Sequence, residues 1–389
     1  MAERPRVVLL IEESAHYGRQ ILSGVARYVR THQPWEIFLE QQPLGKMLPP
    51  WMLRRDCHGV ISRQTNRSLA KLFHEMKVSV VDLSDREADF GFPKITSNDR
   101  NIGEIAAKHF LDRGIKRFAY FGYKKEMWSD RRLEGFSDYV EAEGYECNAY
   151  TTVWFDRHSG HMSEWDEERW RIAEWIRSLK KPVGILMCGD TCGQHVIDAC
   201  HRADAVIPEE VLIMGVGDEL ETCELCDPPL SSVIPNPEKI GYEAAATLDL
   251  MLQGEIVEPE EVQIDPLGIM ERQSTNVVAI EDPDIATALK FIQEHACEGI
   301  TVSQVLKQVP LSRSLLERRF RKYLRKSPQE VIREEQLKRV KQLLTETDFP
   351  LEHIAELAGY KHYEYMSVIF KRHLLETPGQ YRRKTRFEK

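Results

Sequence analysis

Residues 6–30 read RVVLLIEESAHYGRQILSGVARYVR, and this stretch sets the fold. Its first six residues read as a buried strand, with residues 7–11 a five-residue apolar run. Residues 16–30 then place Ile21, Val25, Tyr28 and Val29 on one helical face. Further along, residues 35–39, 59–61 and 78–83 read as strands with helical segments between them. The pattern repeats with strands at 117–122 (RFAYFG), 184–188 (GILMC) and 211–216 (VLIMGV). Helices are predicted at 131–143, 167–179 and 191–202. Strand–helix alternation of this length predicts an α/β core of parallel sheets with helices on both faces.

The chain has 389 residues, enough for two or three domains. Hydrophobic residues make up 42% and charged residues 30%, a globular balance that argues against long disorder. The early apolar run is too short for a signal h-region or a membrane span, so no membrane association is expected. Eight cysteines without dense spacing fit a reduced, cytoplasmic chain. Charge is uneven. Residues 284–389 hold 21 Lys+Arg against 14 Asp+Glu, a net +7, whereas the rest of the chain is −16. A basic segment behind an acidic body predicts a separate nucleic-acid-binding module. An unevenly charged solvated surface is the plainer alternative.

In parallel sheets, ligands sit outside the carboxyl ends of strands. Glu12, Glu13, Ser14 and Tyr17 follow the first strand. Trp128, Arg131 and Arg132 follow RFAYFG, Asp190 follows GILMCG, and Asp218 and Glu219 follow VLIMGVG. Carboxylates accept hydroxyl hydrogen bonds, arginine donates a fork and an aromatic face covers C–H edges, so this rim suits a polyhydroxylated ligand. Asp190 also has the position of a helix N-cap. No GxGxxG, GxxxxGK[ST] or GxSxG occurs, which argues against an enzyme and predicts no cofactor. Cys188/Cys192 and Cys223/Cys226, with His195 and His201 nearby, raise a zinc reading. Small buried hydrophobes account for these cysteines better, so no metal is expected.

Residues 274–283 lose periodicity and carry a proline, the mark of a linker. Helical signals follow. Residues 302–307 form a short helix, residues 309–311 a turn, and Ser312 caps a helix over 313–323. The unit recurs as a helix at 351–358, a turn at Gly359–Tyr360 and a helix at 363–373. An amphipathic stretch, 328–345, connects the two. The expected domains are therefore a core at 1–275, a linker at 276–284 and an all-α double helix-turn-helix domain at 285–389, with units near 302–324 and 351–375.

Two resemblances sharpen these expectations. Residues 98–118, Arg131-Arg132-x-x-Gly135-Phe136 and Gly215-Val-Gly-Asp218 make residues 5–275 similar to the periplasmic-binding-like sugar core of the LacI/GalR family. That resemblance implies two lobes (about 5–112 with 236–265, and 113–235 with 266–275) joined by crossings near 111–116, 234–237 and 265–268. It also implies a sugar held by Glu13, Arg132, Asp190 and Asp218, with Tyr17 or Trp128 stacking. Only five residues precede the first strand, so the family's usual DNA-binding headpiece is not expected there. Ser312, Leu316, Phe320 and Pro328, then Ile354, Ala355, Ala358-Gly-Tyr360, Phe370-Lys371 and Thr377-Pro378-x-x-Tyr381-Arg382, resemble the AraC/XylS DNA-binding domain over 284–386.

The second helix of each unit then enters a major groove. Base contacts are expected from Ser312, Arg313, Ser314, Glu317 and Arg318, and from His362, Tyr363, Glu364, Ser367 and Lys371. Phosphate contacts are expected from Arg321, Lys322, Lys371, Arg372, Arg382 and Arg383. A sugar core followed by this reader resembles the xylose operon regulators of enteric bacteria. It implies a homodimeric, sugar-responsive activator on tandem promoter half-sites, working with RNA polymerase, with D-xylose or a related sugar as effector. A repressor, a regulator with another effector, an effector-independent DNA binder and an enzyme using the cleft are the rival readings.

Overall fold

A computed structural model describes residues 4–32, 34–39, 57–85, 89–153, 162–276, 282–324 and 326–387. The chain divides into two compact units, 1–277 and 278–389.

The first unit holds two six-stranded sheets. Strands β1 (Arg6–Leu10), β2 (Glu36–Leu39), β3 (Gly59–Ser62), β4 (Ser79–Asp82) and β5 (Lys94–Ser97) build the first, with helices α1 (His16–Thr31) and α2 (Arg67–Met76) between them. The chain continues through α3 (Asp99–Asp112), β6 (Phe118–Tyr123), α4 (Met127–Ala142), β7 (Cys147–Thr152), α5 (Met162–Ser178), β8 (Val183–Met187), α6 (Gly193–Arg202), β9 (Val211–Val216), α7 (Leu220–Glu224) and β10 (Ser231–Ile234). Helix α8 (Pro237–Leu252) and β11 (Glu261–Ile264) return to the first sheet, and β12 (Gly268–Met270) ends on the second. The strand orders are β11-β5-β4-β3-β1-β2, all parallel, and β12-β10-β9-β8-β6-β7, parallel except for antiparallel β12.

The apolar run that opens the chain is buried on both faces, as parallel strands require. Val7, Leu9 and Ile11 pack with Ile21, Val25 and Leu248 of α1 and α8, while Val8 and Leu10 pack with Ala70 and Phe73 of α2. The first crossing between lobes departs from the sequence expectation. Helix α3 packs on α4 and reaches β8 and β9, so the chain changes lobe between β5 and α3, at Ser97–Asn98, and not at 111–116. The reason is a backbone contact that sequence periodicity does not display. A Cβ on Gly135 would lie 2.0 Å from the Arg100 carbonyl oxygen, and one on Gly103 2.3 Å from that of Arg132. The other crossings lie between β10 and α8, and between β11 and β12.

The second unit is helical: α9 (Pro283–His295), α10 (Val302–Val305), α11 (Arg313–Leu324), α12 (Pro328–Glu346), α13 (Leu351–Leu357), α14 (Tyr363–Leu374) and α15 (Pro378–Phe387). It has two cores. Leu316 and Phe320 of α11 pack with Ile285, Ile292 and Val305. Met366, Ile369 and Phe370 of α14 pack with Ile354 and Ala355. Helix α12 serves both, with Val331 and Ile332 in the first and Leu337, Val340, Leu343 and Leu344 in the second. A capping box starts it, in which Ser327 N–H donates to Glu330 Oε2 (2.6 Å) and Glu330 N–H to Ser327 Oγ (3.3 Å). Gly359 has φ +78° at the turn before α14. Among the described residues, no helix is long and apolar enough to cross a membrane.

Candidate functional site

Each lobe of the first unit presents an arginine beside a carboxylate and an aromatic ring, Arg132 buried and Arg63 half-buried. In the first lobe Arg63, just beyond β3, meets Glu12 (Nη1–Oε1 2.5 Å) and Asp85 (Nη2–Oδ2 3.2 Å). Its guanidinium lies 4.7 Å from the Tyr17 ring centroid. In the second lobe Arg132 of α4 donates from Nε to Asp99 Oδ1 (2.8 Å) and from Nη1 to the Cys188 carbonyl oxygen. Its guanidinium lies 4.8 Å from the Trp128 ring, whose Nε1–H donates to Glu126 (3.0 Å).

The two clusters face each other. Burial pushes the Tyr17 hydroxyl far up, and its surroundings include Arg63 and Asp85 of its own lobe and Asp99 and Arg132 of the other. Asp99 is pushed up to about 6, chiefly by burial, against the opposing pull of Arg132. Two buried atoms here, Glu12 Oε2 and Arg63 Nε, have no hydrogen-bond partner among the described residues. Orphaned acceptors and donors inside a cleft are what a polar ligand would satisfy. The buried carboxylate after β1 is therefore Glu12. Glu13 is half-exposed, and its carbonyl oxygen accepts from Arg19 (2.8 Å). Arg63, Asp85 and Asp99 are absent from the sequence-derived rim, which names Glu12 but assigns the sugar contact to Glu13. Inspecting the residues after the strand at 59–61 would have found Arg63.

Asp190 and Asp218 form a third group at the carboxyl ends of β8 and β9. Asp190 is only 2% exposed, and both its oxygens are engaged. Ser232 Oγ donates to Oδ1 (2.7 Å) and the Glu219 amide to Oδ2 (2.9 Å). Burial, opposed by these bonds, pushes it up to about 6. Asp190 thus braces the 217–219 turn from beneath, an arrangement different from the direct ligand contact expected of it. Asp218 sits on that turn with φ +52° and pairs with Arg272 (2.9 Å). Cys188 and Cys192 are buried with their sulfurs 3.6 Å apart. Among the described residues, no group of three His, Cys, Asp or Glu is placed to hold a metal ion.

In the second unit, Ser312 Oγ accepts from the Leu315 amide (3.3 Å) at the start of α11. Ser312, Arg313, Ser314, Arg318, Arg321 and Lys322 are exposed, and Glu317 is half-buried beside Arg313 (3.4 Å). On α14, Glu364, Lys371 and Arg372 are exposed, as is His362 at its N-cap, while Ser367 is half-buried. Tyr363 is not on that face, because it packs against the Leu337–Phe370 core. Instead Tyr365 (51%) and Val368 (56%) stand out to solvent. The signal for them was present: Met366, Ile369 and Phe370 define the buried stripe, and Tyr365 and Val368 lie off it. Arg383 is exposed, whereas Arg382 is half-buried and donates to the Phe349 carbonyl oxygen (2.7 Å), tying α15 to the turn before α13.

Comparison with known proteins agrees with this division. A periplasmic binding protein-like domain matches residues 107–275, and a helix-turn-helix domain matches residues 305–384. The chain is 30% identical to the xylose operon regulatory protein of Haemophilus influenzae, over 97% of this chain and 98% of that one. It is 27% identical to the protein of that name from Escherichia coli K12, over 98% and 97%. A solved xylose-binding transcription activator, xylR, superposes with a TM-score of 0.77 at 27% identity, covering 98% of each chain. Both halves, in the same order and over almost the entire length, are shared with these relatives, and the chain belongs to the family of the xylose operon regulatory proteins.

Proposed function

We propose that this chain is a D-xylose-responsive transcription activator of pentose catabolic genes. The observation that carries the reading is the full-length match to the xylose operon regulatory proteins, sugar core and DNA reader together. The opposed arginine–carboxylate–aromatic clusters add chemical support, because a pentose offers several hydroxyls and an apolar C–H edge. In this reading Arg132, Asp218 and the Glu12–Arg63 pair hold hydroxyls, Tyr17 and Trp128 cover the ring, and Asp190 positions the Asp218 turn. Glu13 keeps only a peripheral place. Sugar favours the closed cleft, and closure biases a homodimer toward the arrangement that binds tandem half-sites and engages RNA polymerase. The base and phosphate contacts are those exposed on α11 and α14.

A thermal-shift panel of pentoses and hexoses on the full chain tests the effector. A ligand at 100 times its dissociation constant adds about 2.7 kcal/mol of stability. A shift with D-xylose and with no other sugar is the expected result. A shift with hexoses alone replaces the effector, and no shift with any sugar removes it. A reporter fused to the promoter then separates activation from repression.

A further inference from the structure

The two reading helices of the second unit differ in the chemistry they expose. Helix α11 shows solvent a polar face: Arg313, Ser314 and Arg318, with Ser312 at its cap. Helix α14 does not. Tyr365 and Val368 are exposed large apolar side chains, three positions apart, in its first and second turns. On a helix such a pair shares one face, with Cβ atoms about 5–6 Å apart. Lys361 lies just before the helix, Arg372 follows Val368 by one turn with Lys371 alongside, and all three are exposed. Met366, Ile369 and Phe370 fill the core face, while Tyr365 touches only the edge of that core at the Tyr360 ring (6.2 Å) and Val368 stands clear of it.

We infer that Tyr365 and Val368 read thymine methyl groups in the major groove, so that the second helix-turn-helix selects its half-site by apolar contact. This rests on the reading of the chain as a DNA-binding regulator and deepens it. The argument is chemical. Among the base pairs, only those containing thymine place an apolar group, the C5 methyl, on the major-groove edge. The N-terminal turns of the second helix in such a unit are the part that approaches base edges. The flanking cations match phosphates on either side of a groove, which marks the occupant as nucleic acid rather than an apolar protein surface. With base steps of about 3.4 Å, side chains about 5–6 Å apart meet methyls one or two steps apart. The first unit, through Arg313 and Arg318, instead favours guanine, so the two half-sites differ in base composition.

The test uses the full-length protein and needs no operator known in advance. Binding sites are selected from a random duplex pool in the presence of D-xylose. Each thymine of the selected site is then replaced singly by deoxyuridine, which removes only the methyl. Burial of one methyl corresponds to about a fourfold change in affinity. We expect one or two thymines whose replacement weakens wild-type binding about fourfold, and whose replacement is not felt by Val368→Ala or Tyr365→Ala. Val368 and Tyr365 are exposed, and unchanged melting of both variants checks that they fold. A selected site at which every deoxyuridine is neutral, or at which both variants still sense every methyl, overturns the inference and leaves DNA binding intact. Failure to select any sequence overturns the DNA-binding reading and this inference with it.

Discussion

Arg63 binds two carboxylates at once, and both depend on it. Glu12 and Asp85 lie within 2.5 and 3.2 Å of its guanidinium in a largely buried setting. Removing one partner of a buried ion pair costs about 3–5 kcal/mol, because the remaining charge loses its compensation. Arg63→Met is expected to lower the melting temperature and to abolish the sugar-induced shift, whereas Arg19→Met, at an exposed residue that donates to the carbonyl oxygens of Glu13 and Ser14, leaves the shift intact. Asp190 makes a pH prediction. Its folded value is raised to about 6 from 3.8, so between these values the folded chain holds more protons than the unfolded one. The cost of its ionisation is absent below about pH 4, grows through the window and is complete above about pH 6. Denaturant unfolding of the wild type and Asp190→Asn at pH 4 and pH 7 measures this, and the wild type is expected to lose ground to the variant at the higher pH.

At the scale of elements, Gly135 explains its place beside Arg132. Helices α3 and α4 cross with backbones touching, and a methyl on Gly135 would overlap the Arg100 carbonyl oxygen. Phe136, the next residue, is fully buried, so the crossing fixes the register that delivers Arg132 to Asp99. Gly135→Ala is expected to cost about 1–3 kcal/mol through overpacking and to weaken sugar binding with it. Gly379→Ala, where nothing lies within 4 Å, is the neutral control. In the helical unit, Gln336 of α12 donates to the carbonyl oxygens of Ala296 (3.0 Å) and Gly359 (3.3 Å), joining the turn after α9 to the turn before α14 through one buried amide. Gln336→Leu takes the amide donor from the Gly359 carbonyl oxygen, whereas Ala296 keeps the Gly299 N–H (3.2 Å). Chemical denaturation should register a loss of about 1–3 kcal/mol.

At the scale of the molecule, the two lobes are latched as well as hinged. Arg131 of α4 makes a bidentate pair with Glu261 of β11 (2.6 and 3.0 Å), and Thr96 donates to the same carboxylate (2.7 Å). Burial raises the Glu261 carboxyl, but these bonds outweigh it and hold the group below its usual range. The latch is therefore present at neutral pH and is lost as pH falls through that lowered value. A partly exposed pair of this kind contributes up to about 1 kcal/mol. If it steadies the closed cleft, Glu261→Gln weakens sugar affinity about two- to fivefold without changing which sugar binds, as titration calorimetry would read. An unchanged affinity would mean that the pair serves both open and closed states equally.

Local pattern made much of this legible, because strand and helix periods, caps and turn glycines are properties of neighbouring residues. The run at 6–11, the Ser312 cap, the Gly359 turn and the repeated helix-turn-helix could all be read from the chain alone. So could the charge break that separates the acidic body from the basic reader. The positions of Arg132 and Asp218 just beyond strand ends could also be read from the chain, because those ends are set by local pattern. Contacts between distant segments had no such signature. The α3–α4 crossing moved the first hinge to Ser97–Asn98. The choice of Glu12 over Glu13 came from Arg63, fifty-one residues away. Asp190 became a brace because Ser232 and Glu219 fold onto it. On α14 only the buried stripe decided that Tyr363 faces inward while Tyr365 and Val368 face out. Sequence determined which elements form and in what order, since their forces act within a few residues. Tertiary structure decided which side chains meet, since burial and pairing exist only once those elements pack.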